Sequence, residues 1–217
     1  MSIIPNHIVL YDIPWDAYTK MMDALGEYVL RRALTDAKRW PDLYVSVNVS
    51  ALQVKDRKFV ELVARVLQEK EVPPSRLVLE ITESVLVDNP DEAKLRLDAL
   101  RGLGVKIALD DFGTGYSSLS YLQRFAFDKL KIDKAFVTPL SRSANSGAMI
   151  QAIVALGNAL GLSILAEGVE TEEQRVLLRL AGCHEMQGFL FAQPGPRESI
   201  DTVISDAKLR APAVAAS

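Results

Sequence analysis

Cysteine, histidine and long runs of one charge are all scarce in this chain. Its 217 residues contain one cysteine, Cys183, and two histidines. A single cysteine cannot form an internal disulfide, which fits a reducing compartment, and the usual cysteine and histidine ligands of zinc are too few here. The net charge is −3, and no basic run is present, so neither a nucleic-acid polymer nor a polybasic membrane contact is indicated.

Long apolar segments are missing as well. Residues 1–6 lack the basic start and the unbroken apolar run of a signal peptide. The most apolar stretch, residues 152–166, is interrupted by glycine and polar residues and is too short to cross a bilayer. We therefore expect a cytoplasmic domain, or the cytoplasmic part of a larger protein, without direct membrane insertion.

What the chain does contain is a regular alternation of short β-branched runs and longer helical patterns. We assign residues 1–210 to one domain and residues 211–217 to a flexible tail. Predicted strands cover residues 43–49, 76–81, 105–110, 129–132, 163–167 and 183–187. Predicted helices cover residues 16–39, 56–70, 91–100, 146–160 and 171–181, the last with a capping box at Thr171. Six such repeats predict a parallel α/β fold and favour a TIM barrel of the (β/α)8 type.

Side-chain parity places polar groups on one face of five predicted strands. Successive side chains of a strand point to opposite faces, and the other face of these strands is apolar. If the apolar faces meet the outer helices, five polar residues point into the barrel near its C-terminal rim: Asn48, Glu80, Asp110, Lys131 and Glu167. Unpaired buried carboxylates are costly, so a divalent cation is their natural partner.

The types of donor atom indicate which metal would bind. Three carboxylates, the Asn48 amide oxygen and a second acid beside Asp110, namely Asp111, are hard oxygen ligands that suit Mg2+ or Mn2+. Adjacent aspartates at a strand end can bridge two metals, as in phosphoester hydrolysis. Lys131 could hold a water or stabilise phosphoryl charge. The plainer interpretation of Asp110 and Asp111 is a pair of helix N-caps.

Six motifs follow one another in a fixed order along most of the chain. They are Ser46–Ser50 (SVNVS), Glu80–Glu83 (EITE), Asp110–Gly115 (DDFGTG), Lys131–Asp133 (KID), Ala166–Glu170 (AEGVE) and Gln187–Phe191 (QGFLF) with Pro194. Together they resemble the EAL domain family, whose members are cyclic di-GMP (c-di-GMP) phosphodiesterases and receptors. The resemblance implies a modified TIM barrel, here incomplete or altered at its first strand.

The resemblance also implies a role for each matching residue. The ligands of a two-metal Mg2+ or Mn2+ site would be Asn48, Glu80, Asp110, Asp111 and Glu167. The catalytic residues would be Lys131, Glu167, Asp110 and Asp111, with the lysine contacting the attacking water. The loop of Gly113, Thr114 and Gly115 would be braced by Glu83. The substrate contacts would be Gln187, Phe189, Phe191 and Pro194, although one of the two aromatic residues would ordinarily lie in the core. The implied reaction opens one phosphodiester bond of c-di-GMP to give linear pGpG.

The start of the chain departs from the family pattern. The Glu-Ala-Leu strand that names the family carries a metal-binding glutamate, and no such motif occurs in residues 1–15. Residues 8–13 alternate enough to replace that strand, with Asp12 near the metals; alternatively, residues 5–10 follow the missing strand and the barrel lacks it. An open barrel would be covered by a homodimer contact or a partner domain. The missing glutamate predicts weak hydrolysis with a high metal requirement.

The sequence is therefore compatible with three functions. The chain is an active phosphodiesterase, a c-di-GMP receptor without turnover, or a protein-interaction module that binds no nucleotide. Degenerate scaffolds generally lose the aspartate pair, the lysine or the Glu-Gly-Val-Glu stretch, and this chain has all three. The first two functions are therefore favoured.

Overall fold

Six parallel strands in chain order form one curled sheet. The computed structural model describes the backbone of residues 15–87, 89–113, 119–141 and 144–210, and the side chains of residues 22–87, 89–113, 120–141 and 145–204. The strands are β1 (Val45–Asn48), β2 (Leu77–Thr82), β3 (Lys106–Phe112), β4 (Lys129–Ile132), β5 (Ser163–Ala166) and β6 (Glu185–Met186). Each strand pairs in parallel with the next, which confirms the predicted α/β class.

The strand order is that of a TIM barrel, and the described residues form part of one. Within the described ranges, β1 and β6 are the two edges of the sheet. The candidate first strand in residues 5–13, with Asp12, lies outside the described residues, as does the predicted tail at residues 211–217. Those predictions remain open.

Helices connect successive strands and cover the sheet. They are α1 (Trp15–Ala37), α2 (Ala51–Lys55), α3 (Phe59–Lys70), α4 (Ser84–Val87), α5 (Pro90–Gly102), α6 (Leu119–Arg124), α7 (Lys134–Val137), α8 (Ala144–Ala159), α9 (Glu172–Leu180) and α10 (Arg197–Arg210), with a 3-10 turn at Pro74–Arg76. Of the helices described here, none is both long enough and apolar enough to cross a membrane.

The sequence pattern predicted the long helices α1, α3, α5, α8 and α9, with differences at their ends. It missed α10, and it missed the short helices α2, α4 and α7 because one or two turns are too few to show a helical period. The predicted helix over residues 56–70 begins too early, since Asp56 is the extended C-cap residue of α2. The strands β1 and β6 are shorter than predicted, and β3 extends to Phe112 instead of ending at Asp110.

Side-chain caps fix where several helices begin. Thr171 Oγ1 accepts a hydrogen bond from the Gln174 N–H at 3.2 Å, and Gln174 Oε1 accepts one from the Thr171 N–H at 3.0 Å. This is the capping box that the sequence predicted for α9. Ser50 and Gln53 form a second capping box at α2, directly after β1.

The apolar core lies between the sheet and the helices. Leu77, Leu79 and Ile81 of β2 are at most 1% exposed, and they belong to one cluster with Leu34 of α1 and Val63 of α3. Removal of this apolar surface from water is the main stabilising contribution to the fold. The opposite face of the strands is therefore free to carry polar side chains.

The last helix packs beside the end of the first one. Asp201 of α10 accepts a hydrogen bond from the Trp40 indole N–H at 2.8 Å. Arg197, also in α10, donates from Nη1 to Asp36 Oδ1 of α1 at 3.0 Å. These contacts hold α10 against α1, so that the helical layer continues from the last described strand towards the first.

Candidate metal centre

Lys131 lies among three carboxylates near the carboxyl ends of the strands. Its Nζ is 2.6 Å from Glu80 Oε2, 2.9 Å from Asp110 Oδ1 and 2.6 Å from Glu167 Oε1. The lysine comes from β4, and the acids come from β2, β3 and the position after β5. The lysine side chain is 4% exposed, and the acids are 9–18% exposed. Four residues predicted from separate strands thus form one buried cluster.

A bulge in β3 brings a second aspartate to this cluster. Between Leu109 and Phe112, β3 has one residue more than the stretch of β4 with which it pairs. Asp111 has a left-handed backbone with φ 54°, and its N–H donates to Asp110 Oδ1 at 3.0 Å. Neighbouring strand residues normally point to opposite faces, and the extra residue changes that alternation. The N-cap interpretation of the pair is wrong, because both residues lie within β3.

The carboxylates outnumber the ammonium group, and the pKa values of Glu167 and Asp111 are raised. Burial raises the pKa of Glu167; the hydrogen bond from Lys131 opposes this rise, and the charges of Asp110 and Glu80 add to it. Burial, followed by the charge of Asp110, also raises the pKa of Asp111. Both acids are therefore harder to ionise than ordinary carboxyl groups, and a cation would favour their charged forms.

In contrast to the two acids, Lys131 has a pKa that is shifted in favour of its charged form. Burial favours the neutral amine and lowers its pKa, but hydrogen bonds to Glu167 and Glu80 outweigh burial and raise the pKa above its usual value. The side chain is therefore an ammonium at neutral pH. It can donate hydrogen bonds to oxygen atoms, but it cannot accept a proton from water.

Three of the acids are placed so that they could share an ion. One oxygen each of Asp110, Asp111 and Glu167 lies within 4.8 Å of the other two. An all-oxygen set with excess negative charge matches the preference of Mg2+, Mn2+ and Ca2+. With Glu80, four acids face a single lysine, so a divalent cation would reduce the repulsion among them. The residues present therefore fit a divalent cation.

Two more predicted residues contact the cluster or the loop after it. Gln187 Nε2 donates to Glu167 Oε1 at 2.6 Å, and this is the same oxygen that contacts Lys131. The Gly113 N–H donates to Glu83 Oε1 at 3.2 Å, so the glutamate holds the backbone two residues after Asp111. The structure thus places Gln187 and Glu83 beside the site, while their functional roles remain predictions.

The other predicted site residues are exposed or lie outside the described residues. Asn48 pairs in register with Glu80, but it is exposed. Phe189 and Phe191 are 58% and 49% exposed, so the expectation that one of them lies in the core is wrong. Pro194 is exposed as well. Thr114 and Gly115 lie outside the described residues.

The sequence interpretation gave no role to Asp133. This residue follows β4, and its Oδ1 accepts a hydrogen bond from the Ala135 N–H at 2.7 Å, which caps α7. Asp133 also contributes, after burial and Asp110, to the raised pKa of Asp111. Alternation along the Lys131–Asp133 motif was the available signal, because it puts both residues on one face.

Curated relatives of the chain are larger signalling proteins. A Caulobacter vibrioides "uncharacterized signaling protein" is 46% identical over 189 residues, which are 87% of this chain and 23% of that protein. The "bifunctional diguanylate cyclase/cyclic di-GMP phosphodiesterase MucR" of Pseudomonas aeruginosa is 41% identical over 193 residues, which are 87% of this chain and 28% of that protein. The chain thus spans about a quarter of the length of these relatives.

Solved structures and a family model agree with these relatives. The structure described as "PaMucR Phosphodiesterase, c-di-GMP complex" superposes with a TM-score of 0.80 at 41% identity, covering 84% of this chain and 76% of that chain. A manganese and c-di-GMP complex of Klebsiella pneumoniae BlrP1 superposes with a TM-score of 0.76 at 30% identity, covering 84% of this chain and 46% of that chain. The model of the EAL domain matches residues 13–194. The chain belongs to the EAL domain family.

Proposed function

We propose that this domain hydrolyses one phosphodiester bond of c-di-GMP and releases linear pGpG. The observation that carries the proposal is the cluster of Glu80, Asp110, Asp111 and Glu167 beside the ammonium of Lys131. Relatives over the same region are named as cyclic di-GMP phosphodiesterases, and the MucR structure contains c-di-GMP. These names support the substrate, and the acidic cluster supports a reaction at phosphate.

The acids would hold a divalent cation, for which we propose Mg2+ or Mn2+. Asp110, Asp111 and Glu167 are the ligands that the geometry favours. Glu80, which contacts Lys131, and Asn48 are the other two predicted ligands. A bound divalent cation supplies positive charge for the phosphate oxygens and lowers the pKa of water. The BlrP1 complexes with manganese and with calcium support a divalent ion in this family.

Lys131 and Gln187 would orient the reacting groups. The three acids engage the three N–H donors of the ammonium and fix its direction. If a cation took up one of these carboxylates, the released N–H would point to a water or a phosphate oxygen. Gln187 donates to Glu167 and limits the rotation of that carboxylate. Phe189 and Phe191 expose aromatic faces, and a guanine base can stack on such a surface.

The proposal is tested by incubating the purified chain with c-di-GMP and measuring pGpG by chromatography over a series of Mg2+ and Mn2+ concentrations. Asp110→Asn should reduce the rate at least about 100-fold, since even residues that only support metal ligands contribute 10–100-fold. Asp98→Asn is the matched control, because Asp98 pairs with Lys94 on the surface of α5; it should keep the wild-type rate.

The other outcomes separate the remaining functions. Binding of c-di-GMP without pGpG, even at high Mn2+, would contradict hydrolysis and indicate a receptor. Absence of binding at any metal concentration would leave an interaction module. Equal rates for Asp110→Asn and the wild type would contradict the metal site itself.

We also propose that the domain acts in the cytoplasm, as a homodimer or against a partner domain. Among the described residues, β1 is an edge strand, and Tyr28, Leu43 and Tyr44 are exposed, which supports a covered surface there. Light scattering of the purified chain would detect the dimer, and a monomer at every concentration would leave only a partner domain.

A further inference from the structure

The short helix α7 lies between the two backbone segments that follow Asp111 and Glu167. Gly113 comes two residues after Asp111, and a Cβ added to Gly113 would lie 2.7 Å from Phe136 Cζ. Gly168 comes directly after Glu167, and a Cβ there would lie 2.5 Å from Lys134 Cβ. Both distances are shorter than a normal carbon contact. Helix α7 therefore packs directly on the backbone at both positions, with no intervening side chain.

Three contacts hold α7 in place. Asp133 Oδ1 caps its first turn by accepting from the Ala135 N–H at 2.7 Å. Val137 at its end has 0% exposure. Gln174 Nε2, in α9, donates to the Val137 carbonyl at 3.3 Å within the protein interior. Because the Asp133 cap, the burial of Val137 and the hydrogen bond from Gln174 act together, α7 is held in one position.

The position of α7 matters because the acids on either side repel one another. Asp111 and Glu167 carry oxygens within 4.8 Å of each other, and their negative charges oppose this approach. Lys131 is three residues before Lys134, so one short stretch of chain supplies both the ammonium and the packing surface. A metal site needs its ligands within fractions of an ångström of the productive geometry.

We propose that α7 is a spacer that sets the separation of Asp111 and Glu167, with Phe136 and the Cβ of Lys134 as its two positioning contacts. The inference rests on the proposed function, since it concerns the acids that would bind the metal. It assigns no chemistry to Phe136 or Lys134. Phe136 acts through Gly113, and Lys134 acts through Gly168.

The test measures Mn2+ affinity by titration calorimetry, with thermal unfolding of the same samples. Phe136→Leu and Phe136→Ala should weaken Mn2+ binding about 10-fold or more, the size of effect seen when the supports of metal ligands are removed. Phe59→Leu is the matched control: Phe59 is 5% exposed and begins α3, outside the site. It should lower the melting temperature and leave the Mn2+ affinity unchanged. Lys134→Ala keeps the Cβ contact and should also retain affinity, whereas Lys134→Gly should lose it.

Each outcome decides one question. If the wild type binds no Mn2+, the proposed function fails. If the wild type binds Mn2+ and both Phe136 variants bind it equally well, the proposal that α7 is a spacer is wrong. If Phe59→Leu weakens Mn2+ binding as much as Phe136→Leu, the effect reflects general stability, and the spacer is again wrong. If Phe136→Ala does not fold, Phe136→Leu decides. Loss of affinity in Lys134→Ala would overturn the assignment of the Lys134 contact to Cβ.

Discussion

Replacing Lys131 by methionine is the most informative single change. Methionine is similar in length but has no charge, so the apolar stem is kept while the ammonium is removed. In the wild type that ammonium contacts Glu80, Asp110 and Glu167 at 2.6–2.9 Å, and its side chain is 4% exposed. The variant leaves three largely buried carboxylates facing one another without a counter-charge.

The expected loss of stability is large. Removing one partner of a buried ion pair costs about 3–5 kcal/mol, because the remaining charge is uncompensated. For a domain of this size, each 1 kcal/mol corresponds to about 2–4 °C in melting temperature. We therefore expect Lys131→Met to melt about 6–20 °C below the wild type in the presence of EDTA.

The loss should also depend on pH. Burial raises the pKa of Glu167, and the hydrogen bond from Lys131 opposes this rise; without Lys131 the pKa of Glu167 rises further, so the folded variant binds more protons than the unfolded chain. A raised acid pKa makes stability fall as pH rises, because the buried acids must then ionise. The difference from the wild type should therefore be greater at about pH 8 than at about pH 5.

Mn2+ should restore much of the lost stability. A divalent cation bound by Asp110, Asp111 and Glu167 supplies the missing positive charge, so the melting temperature of the variant should rise more than that of the wild type. Hydrolysis should not return, because the hydrogen-bond donors of Lys131 are still absent. This combination separates the role of the lysine as a counter-charge from its role in orienting the reacting groups.

The assay is thermal unfolding with EDTA or Mn2+, with pGpG release measured alongside. Lys94→Met is the control, since Lys94 pairs with Asp98 at 2.5 Å on the surface, where both side chains are at least 40% exposed. Exposed pairs contribute at most about 1 kcal/mol. If Lys131→Met melts like Lys94→Met and gains nothing from Mn2+, the interpretation of a charge-balanced metal site is refuted.

Three other measurements follow from the structure. Burial raises the pKa of Cys183 to about 11, so Ellman's reagent should react with this thiol only after unfolding, and rapid reaction with the folded protein would contradict the packing. Burial acts to raise the pKa of Asp36, but hydrogen bonds from Arg197 and Arg32 outweigh burial and lower the pKa. Asp36→Asn should therefore lower the melting temperature at neutral pH. This difference from the wild type should disappear as the pH falls below the ordinary pKa range of an aspartate. Mn2+ at 100 times its dissociation constant should stabilise the wild type by about 2.7 kcal/mol and leave Asp110→Asn nearly unchanged, whereas equal shifts would place the ion elsewhere.

The parts of the site that lie on strands could be predicted from the sequence. In β2, the residues before and after Glu80 are apolar and belong to the core, so the polar residue between them had to face the other way. Lys131 lies between Leu130 and Ile132, both 0% exposed, and the same reasoning placed it inside. A two-residue period needs only a few residues to be recognised, which is why even the four-residue β4 was found.

The parts that depend on tertiary contacts could not be predicted. Helix α7 is four residues long, and its packing on Gly113 and Gly168 involves segments far apart in sequence. Similarly, α10 is placed by Asp201 and Trp40, whose contact no local pattern reveals. The exposure of Asn48 follows from the position of β1 at an edge of the described sheet, which the sequence alone did not indicate.

The bulge at Asp111 shows why a metal site of this kind conflicts with strand geometry. Alternation allows each strand one inward side chain per two residues, whereas the proposed metal site would use two consecutive acids. An extra residue in β3 solves this, at the cost of a left-handed backbone at a residue other than glycine. Such conformations cost on the order of 1–3 kcal/mol and persist only where the surroundings fix them. The contacts of Glu83 with the Gly113 N–H and of Phe136 with Gly113 help to fix this turn. A regular β3 would be easier to fold, but it would direct Asp111 away from Glu167, so the strain is the condition under which three carboxylates could share the proposed ion.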